Sequence, residues 1–313
     1  MTAKKSTHKD QKSIVPPRRL ISSWYIYDKN SRFEDIMPQA DILHSLSLCG
    51  TRPPAGFMAA CAKHNIKTRK LVNGSEKQFN TDSEMRATID GYLKDCQEVG
   101  YDGIDLDYEN LDPAVQDRFT LLMRTLAREL HAMGKMMSIC VGYYAAMYKK
   151  PPAKYFYDPG VIAEVCDEIR VMCYDMFFAP SPGIGPTSTR PWAKDAMQFW
   201  LERVPREKTL MGLPAYSNDF DLLMGGIGAQ IYGKLDAVTK SGNVEKNWMA
   251  YEEINSYRYL AADGHPHLCF ASDETSTAVQ LKTVDELDIP GITFWHYQSV
   301  TPEMWTAVRQ WLR

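Results

Sequence analysis

The chain has 313 residues, of which 44% are hydrophobic and 24% charged, a balance that excludes a disordered polymer and a membrane protein and leaves room for one large α/β domain. A formal net charge of −3 gives no electrostatic footprint for nucleic acid or an anionic membrane, so neither is expected as a partner. Seven cysteines (49, 61, 96, 140, 166, 173, 269) lie scattered through apolar stretches with no CxxC pair, which reads as buried thiols in a reducing compartment rather than disulfides or a zinc site.

The start, MTAKKSTHKDQKSIVPPRRL, is basic and polar and lacks the apolar stretch of a secretory signal. Residues 1–18 read as a flexible lead-in ending at Pro16 and Pro17, and a cytoplasmic location is expected. One domain is then expected over 19–313. Strand readings follow at LISSWYIYD (20–28), ILHSLSL (42–48), IKTRKLV (66–72), GIDLDYE (103–109), MMSICVGYY (136–144), EIRVMCYDM (168–176), TLMGLPAYS (209–217) and GITFWHY (291–297). Helical spacing is clearest over 82–100 and 113–134, the second with Pro113 near its start and Gly134 at its end.

Eight strands alternating with helices imply parallel pairing, and the count favours a closed (β/α)8 TIM barrel over an open doubly wound sheet. The interval before the last strand is too long for one helix. It holds a glycine-rich loop (MGGIGAQIYG), an amphipathic piece (247–264) and a helix opening at ASDETSTAVQL, so a small inserted subdomain is expected over about 218–275. The glycine-rich loop lacks the spacing of a phosphate cradle, and His265 and His267 in GHPHL have a two-apart spacing that could chelate a metal, although a turn with exposed imidazoles is the favoured reading.

The segment DGIDLDYEN gathers Asp102, Asp105, Asp107 and Glu109 into nine residues. Successive side chains of a strand alternate faces, so Asp105, Asp107 and Glu109 share one face while Ile104, Leu106 and Tyr108 share the other. The apolar set must meet the helices, which sends the three carboxylates up the barrel interior toward its C-terminal mouth. Like charges at that spacing in a poorly hydrated site cannot all ionise, so at least one holds a proton near neutral pH, as a general acid requires. A solvated acidic strand would not explain the apolar alternate face, and a metal site would recruit further ligands that no nearby spacing supplies.

DGIDLDYE resembles the D-x-x-D-x-D-x-E signature of glycoside hydrolase family 18, the chitinases and related N-acetylglucosaminidases. MCYDM (172–176), GLPAYS (212–217), SDETSTAVQL and GITFWHY resemble further family segments in order, and the runs 100–135 and 187–217 look most like its bacterial spore-cortex-lytic branch. The glycine-rich S-x-G-G segment of chitinase strand three is replaced here by KLVNGS, which argues against a plain polymeric-chitin specificity.

The resemblance implies Glu109 as the acid, Asp107 as the residue holding the substrate's 2-acetamido N–H, Asp105 tuning Asp107 from below, and Tyr174 donating to the acetamido oxygen. Asp175, Met172, Tyr216 and Trp295 would bind the sugar, Trp295 as its hydrophobic floor, while Asp102 would support the strand's entry. Trp24, Tyr25, Tyr27, Phe177, Phe178 and Trp192 either line further subsites or pack loops. The implied activity is substrate-assisted, retaining hydrolysis of β-linked N-acetylglucosamine glycans, with no metal or organic cofactor. Chitin oligosaccharides, peptidoglycan and the chitobiose core of N-glycans all present the required sugar. Two rivals stand beside it: a non-catalytic sugar-binding lectin on the same barrel, which usually lacks the acid, and an acidic metal-dependent phosphoesterase.

Overall fold

The computed structural model describes residues 19–143, 155–178, 183–241 and 243–313; the expected lead-in over 1–18 and Tyr144 of the fifth strand reading lie outside them. Strands β1 (Leu20–Tyr27), β2 (Leu43–Gly50), β3 (Lys67–Val72), β4 (Gly103–Leu106), β5 (Met136–Gly142), β6 (Glu168–Met172) and β7 (Thr209–Pro214) follow one another round a closed barrel. Strand β13 (Gly291–Trp295) seals it between β7 and β1, and every pairing is parallel. This is the (β/α)8 barrel that the strand count implied.

Period-two alternation explains the closure. Outward residues such as Leu46, Leu48, Ile104, Leu106, Ile139, Val171 and Phe294 join one core cluster with the helices. Those helices are α1 (Ala55–Lys63), α2 (Asp82–Val99), α3 (Gln116–Ala132), α4 (Pro159–Val165), α5 (Arg190–Leu201), α7 (Glu274–Glu286) and α8 (Pro302–Trp311), with α6 (Asp236–Thr239) in the insertion. Between β1 and β2 only two short 3-10 turns stand where the pattern would place a helix. Helix α2 shows how local signals set its limits: Thr81 and Glu84 form a capping box at its start, and Gly100, at φ +86°, ends it. Its buried residues Met85, Ile89, Tyr92 and Cys96 recur at helical spacing.

The interval between β7 and α7 folds as a five-stranded antiparallel sheet in the order β10 (Glu245–Met249), β11 (Ile254–Leu260), β12 (Pro266–Ala271), β8 (Tyr216–Asp221), β9 (Ile227–Tyr232). The glycine-rich stretch turns at Gly225 and Gly226, both at positive φ, and then becomes β9. The amphipathic piece is the β10–β11 hairpin. His265 and His267 are not the exposed imidazoles expected. Their side chains are 29% and 16% exposed, and their Nδ1 atoms lie 2.7 Å from carboxylate oxygens of Asp221 and Asp219 on the neighbouring β8.

Candidate active site

Two strands run out of ladder before their sequence pattern ends. β4 pairs only as far as Leu106, opposite Val72 at the end of β3, so Asp107, Tyr108 and Glu109 climb above the rim instead of continuing the expected strand to 109. One bond still guides them, from the Asp107 amide to the Val72 carbonyl at 2.8 Å. β6 likewise stops at Met172, leaving Tyr174 and Asp175 in the loop above. Asp175 takes φ +63° and Asn110, just after Glu109, takes +55°, left-handed conformations that Asp and Asn tolerate better than most residues.

These segments face one another across a cavity of about 500 Å³ at the C-terminal mouth of the barrel. Asp107, Glu109, Met172, Tyr174, Asp175, Tyr216 and Trp295 all line it. Asp105 lies just below, fully buried. Asp102, by contrast, sits at the other end of β4, where its carboxylate accepts from the Thr68 amide at 2.9 Å and faces Lys67 at 3.3 Å. Tyr108 points away from the cavity, its hydroxyl 2.8 Å from that of Tyr92.

The six aromatic residues left open by the sequence divide. Trp24 and Phe178 line the cavity. Tyr25 and Tyr27 turn outward against Phe57, Phe177 is buried in the core and packs closely on Gly185, and Trp192 packs from α5 against Tyr143. At the base of the cavity the Trp24 ring meets Trp295 edge-on at 5.9 Å and Tyr174 at 6.3 Å. Tyr174 in turn meets Tyr216 at 6.2 Å. These rings make an apolar floor beneath acidic walls.

Burial dominates the electrostatics. Asp107 is pushed up to about 7 by loss of water, by Glu109 and by Asp105, against a weaker opposing hydrogen bond with Cys140. Its Oδ1 atom is buried without a hydrogen-bond partner among the described residues. Glu109 keeps an exposed face toward the cavity mouth, yet its carboxyl is also raised, first by burial and then by the charge of Asp175. Asp175 is raised by burial too, and the Tyr216 hydroxyl, which donates to its carboxylate, opposes that shift. Tyr174 is held well above the usual phenol range, again mainly by burial, so its hydroxyl remains a donor.

Several lining residues escaped the sequence reading. Gln230 and Tyr232 reach the cavity from β9 of the insertion, with the Tyr232 hydroxyl donating to Gln230 at 2.9 Å. Beneath Asp105 lies a buried charge ladder. Arg170 donates to Asp105 at 2.9 Å and to Glu168 at 2.7 Å, and Glu168 receives both Nη groups of Arg69 at 3.0 and 3.1 Å. The signal was present in EIRVMCYDM, where Glu168, Arg170, Met172 and Tyr174 share the inward phase.

A closed parallel barrel with a proton-holding carboxylate row over an aromatic floor defines the class: a glycoside hydrolase. The chain belongs to glycosyl hydrolases family 18, whose pattern it matches over residues 32–299. It is 21% identical over 274 residues to the uncharacterized glycosylase YvbX of Bacillus subtilis, covering 82% of this chain and 78% of that one. Against two further curated relatives from the same organism it spans about half their length. Among solved structures, the chitinase of Chromobacterium violaceum superposes with a TM-score of 0.82 at 22% identity, covering 94% of this chain and 99% of that one. The Bacillus cereus spore cortex-lytic enzyme SleL superposes with a TM-score of 0.81 at 16% identity, covering 94% and 75%.

Proposed function

We propose that the chain is a retaining hydrolase of β-linked N-acetylglucosamine glycans, chitin oligosaccharides or peptidoglycan strands, acting by substrate-assisted catalysis. Glu109 gives its proton to the glycosidic oxygen as the bond to the anomeric carbon breaks. The substrate's acetamido oxygen attacks that carbon from the opposite face and forms an oxazolinium ion. Asp107 accepts the acetamido N–H and balances the positive charge, while the Tyr174 hydroxyl donates to the acetamido oxygen. Glu109, now ionised, takes a proton from water, which opens the oxazolinium ring and restores the original anomeric configuration.

One observation carries this reading: the buried, unpartnered Oδ1 of Asp107, a carboxylate oxygen on a cavity wall shared with Tyr174. A buried acceptor left open costs about 1–3 kcal/mol. A turn of the carboxyl about its Cβ–Cγ bond would bring that oxygen to the cavity, where a ligand amide N–H would satisfy it, and the 2-acetamido group supplies one next to the bond to be cut. Holding the nucleophile on the substrate itself makes attack intramolecular. Trp295 offers a flat face to the pyranose ring. The names of the similar structures, a chitinase and a spore cortex-lytic enzyme, agree with this substrate class.

Glu109→Gln tests the assignment, because the amide keeps the shape and loses the proton. Turnover of a chromogenic chitotrioside is expected to fall by roughly 10²–10⁴-fold with circular dichroism unchanged. Near-native turnover in that variant would remove Glu109 as the acid.

A further inference from the structure

The interior of a small barrel is ordinarily filled by apolar side chains, and here it holds two arginines and two carboxylates. Arg69, Glu168, Arg170 and Asp105 form one ion-paired chain rising from β3 through β6 to β4. Its charges cancel. All four residues are 5% exposed or less, and the upper end touches the site.

Asp105 is surrounded by donors. Its Oδ1 receives the Ser138 hydroxyl at 2.6 Å, and its Oδ2 receives the Trp24 indole at 3.1 Å and Arg170 at 2.9 Å. The Ser138 hydroxyl could turn toward the Ile104 carbonyl at 3.5 Å and accept a proton from Oδ1, but both partners of Oδ2 are donor-only, and the Arg170 guanidinium beside it is a full buried counter-charge, which favours the anion. Arg170 is itself fixed on three further sides, by Glu168, Ser47 and Ser45, and its guanidinium lies 5.6 Å from the Trp24 ring centroid. Among the described residues, the other titratable groups that act on Asp105 or on the carboxylate above it include Cys140 and Cys166 for Asp105, and Glu109, Cys140, Cys49 and Tyr174 for Asp107.

We propose that Arg170 is a positioning residue: anchored on Glu168, it holds Asp105 as an acceptor-only anion, so that the proton of the acidic row stays on Asp107 and Glu109 and never passes down to Asp105. The catalytic consequence rests on the substrate-assisted reading above; the protonation pattern does not. Asp105 then acts as a fixed negative charge under Asp107 throughout the cycle. Without Arg170, the buried Asp105 carboxylate would lose its counter-ion and take up a proton.

The test is carbon-13 NMR of the protein labelled at aspartate γ-carboxyls, with Asp105 assigned by its absence in Asp105→Asn, together with pH profiles of chitotrioside hydrolysis. The Asp105 signal is expected to stay that of a carboxylate across the active pH range in the native protein and to titrate within it in Arg170→Met. Arg170→Met and Asp105→Asn should both move the limb governed by the shared proton to lower pH, because each removes the anion that helps hold it. Arg170→Lys should return the limb toward its native position while the rate stays reduced, by about a hundredfold at most.

An Asp105 that takes a proton with Arg170 intact, or a native pH profile in Asp105→Asn, overturns the proposal. Should Arg170→Met not fold, the native titration and the Asp105→Asn profile decide it alone. A native protein inert toward the trisaccharide would sink the hydrolytic reading instead, and the NMR titration would still judge the role of Arg170.

Discussion

Among the described residues Asp107 has no cation paired with it to balance its charge. Its carboxyl moves from an ordinary 3.8 to about 7, a gap of about three units, worth on the order of 2–4 kcal/mol between protonated and ionised forms. Between about pH 4 and 7 the folded chain therefore holds a proton here that the unfolded chain has released. Stability from this residue falls as pH rises through that window and stays low above it. Asp107→Asn removes the penalty, so the variant should melt several degrees above the native protein at pH 8, with the gain gone near pH 4. Its turnover should drop by about two orders of magnitude, since the amide cannot balance the oxazolinium charge. Thermal melts at the two pH values check the sign, and a variant no more stable than the native protein at pH 8 would show that Asp107 carries no such burden.

The elements deliver these side chains through close backbone contact. Gly103 opens β4 two residues before Asp105, and a Cβ there would sit 2.1 Å from the Met136 carbonyl oxygen of β5. Backbone cannot yield as a flexible side chain does. Gly103→Ala should cost about 3 kcal/mol or more and disturb the acidic row above it, whereas Gly91→Ala on exposed α2, with nothing within 4 Å, should gain roughly 0.5–1 kcal/mol. Urea midpoints separate the two. The same elements show what the sequence could disclose. The barrel strands were legible because one face is uniformly apolar against the helices. The insertion was not, because β10 (EKNWM) is a largely exposed edge strand whose alternation marks no buried face, so its hairpin with β11 looked only amphipathic. Arg69, Glu168 and Arg170 also went unread: lone charged residues in strands normally face water, and their mutual pairing exists only once β3 and β6 are joined across the barrel.

At the scale of the molecule, the barrel and the insertion each supply part of the cavity wall, with Trp24, Tyr174 and Trp295 from the first and Gln230 and Tyr232 from the second. A ligand seated there bridges both, and binding to the folded state alone must raise its stability. A thiazoline mimic of the oxazolinium ion presents a ring nitrogen to Asp107 and an apolar sugar face to Trp295. At about a hundred times its inhibition constant it should add roughly 2.7 kcal/mol, a rise in Tm of roughly 4 °C for a chain of this length. Asp107→Asn should lose most of that rise, because the charged partner of the ring nitrogen is gone, while Gly91→Ala should keep it. Differential scanning calorimetry of the three proteins with and without the compound reads this directly. A native protein whose melting is indifferent to the mimic would mean that the acetamido group does not take part, and the acidic row would need another substrate.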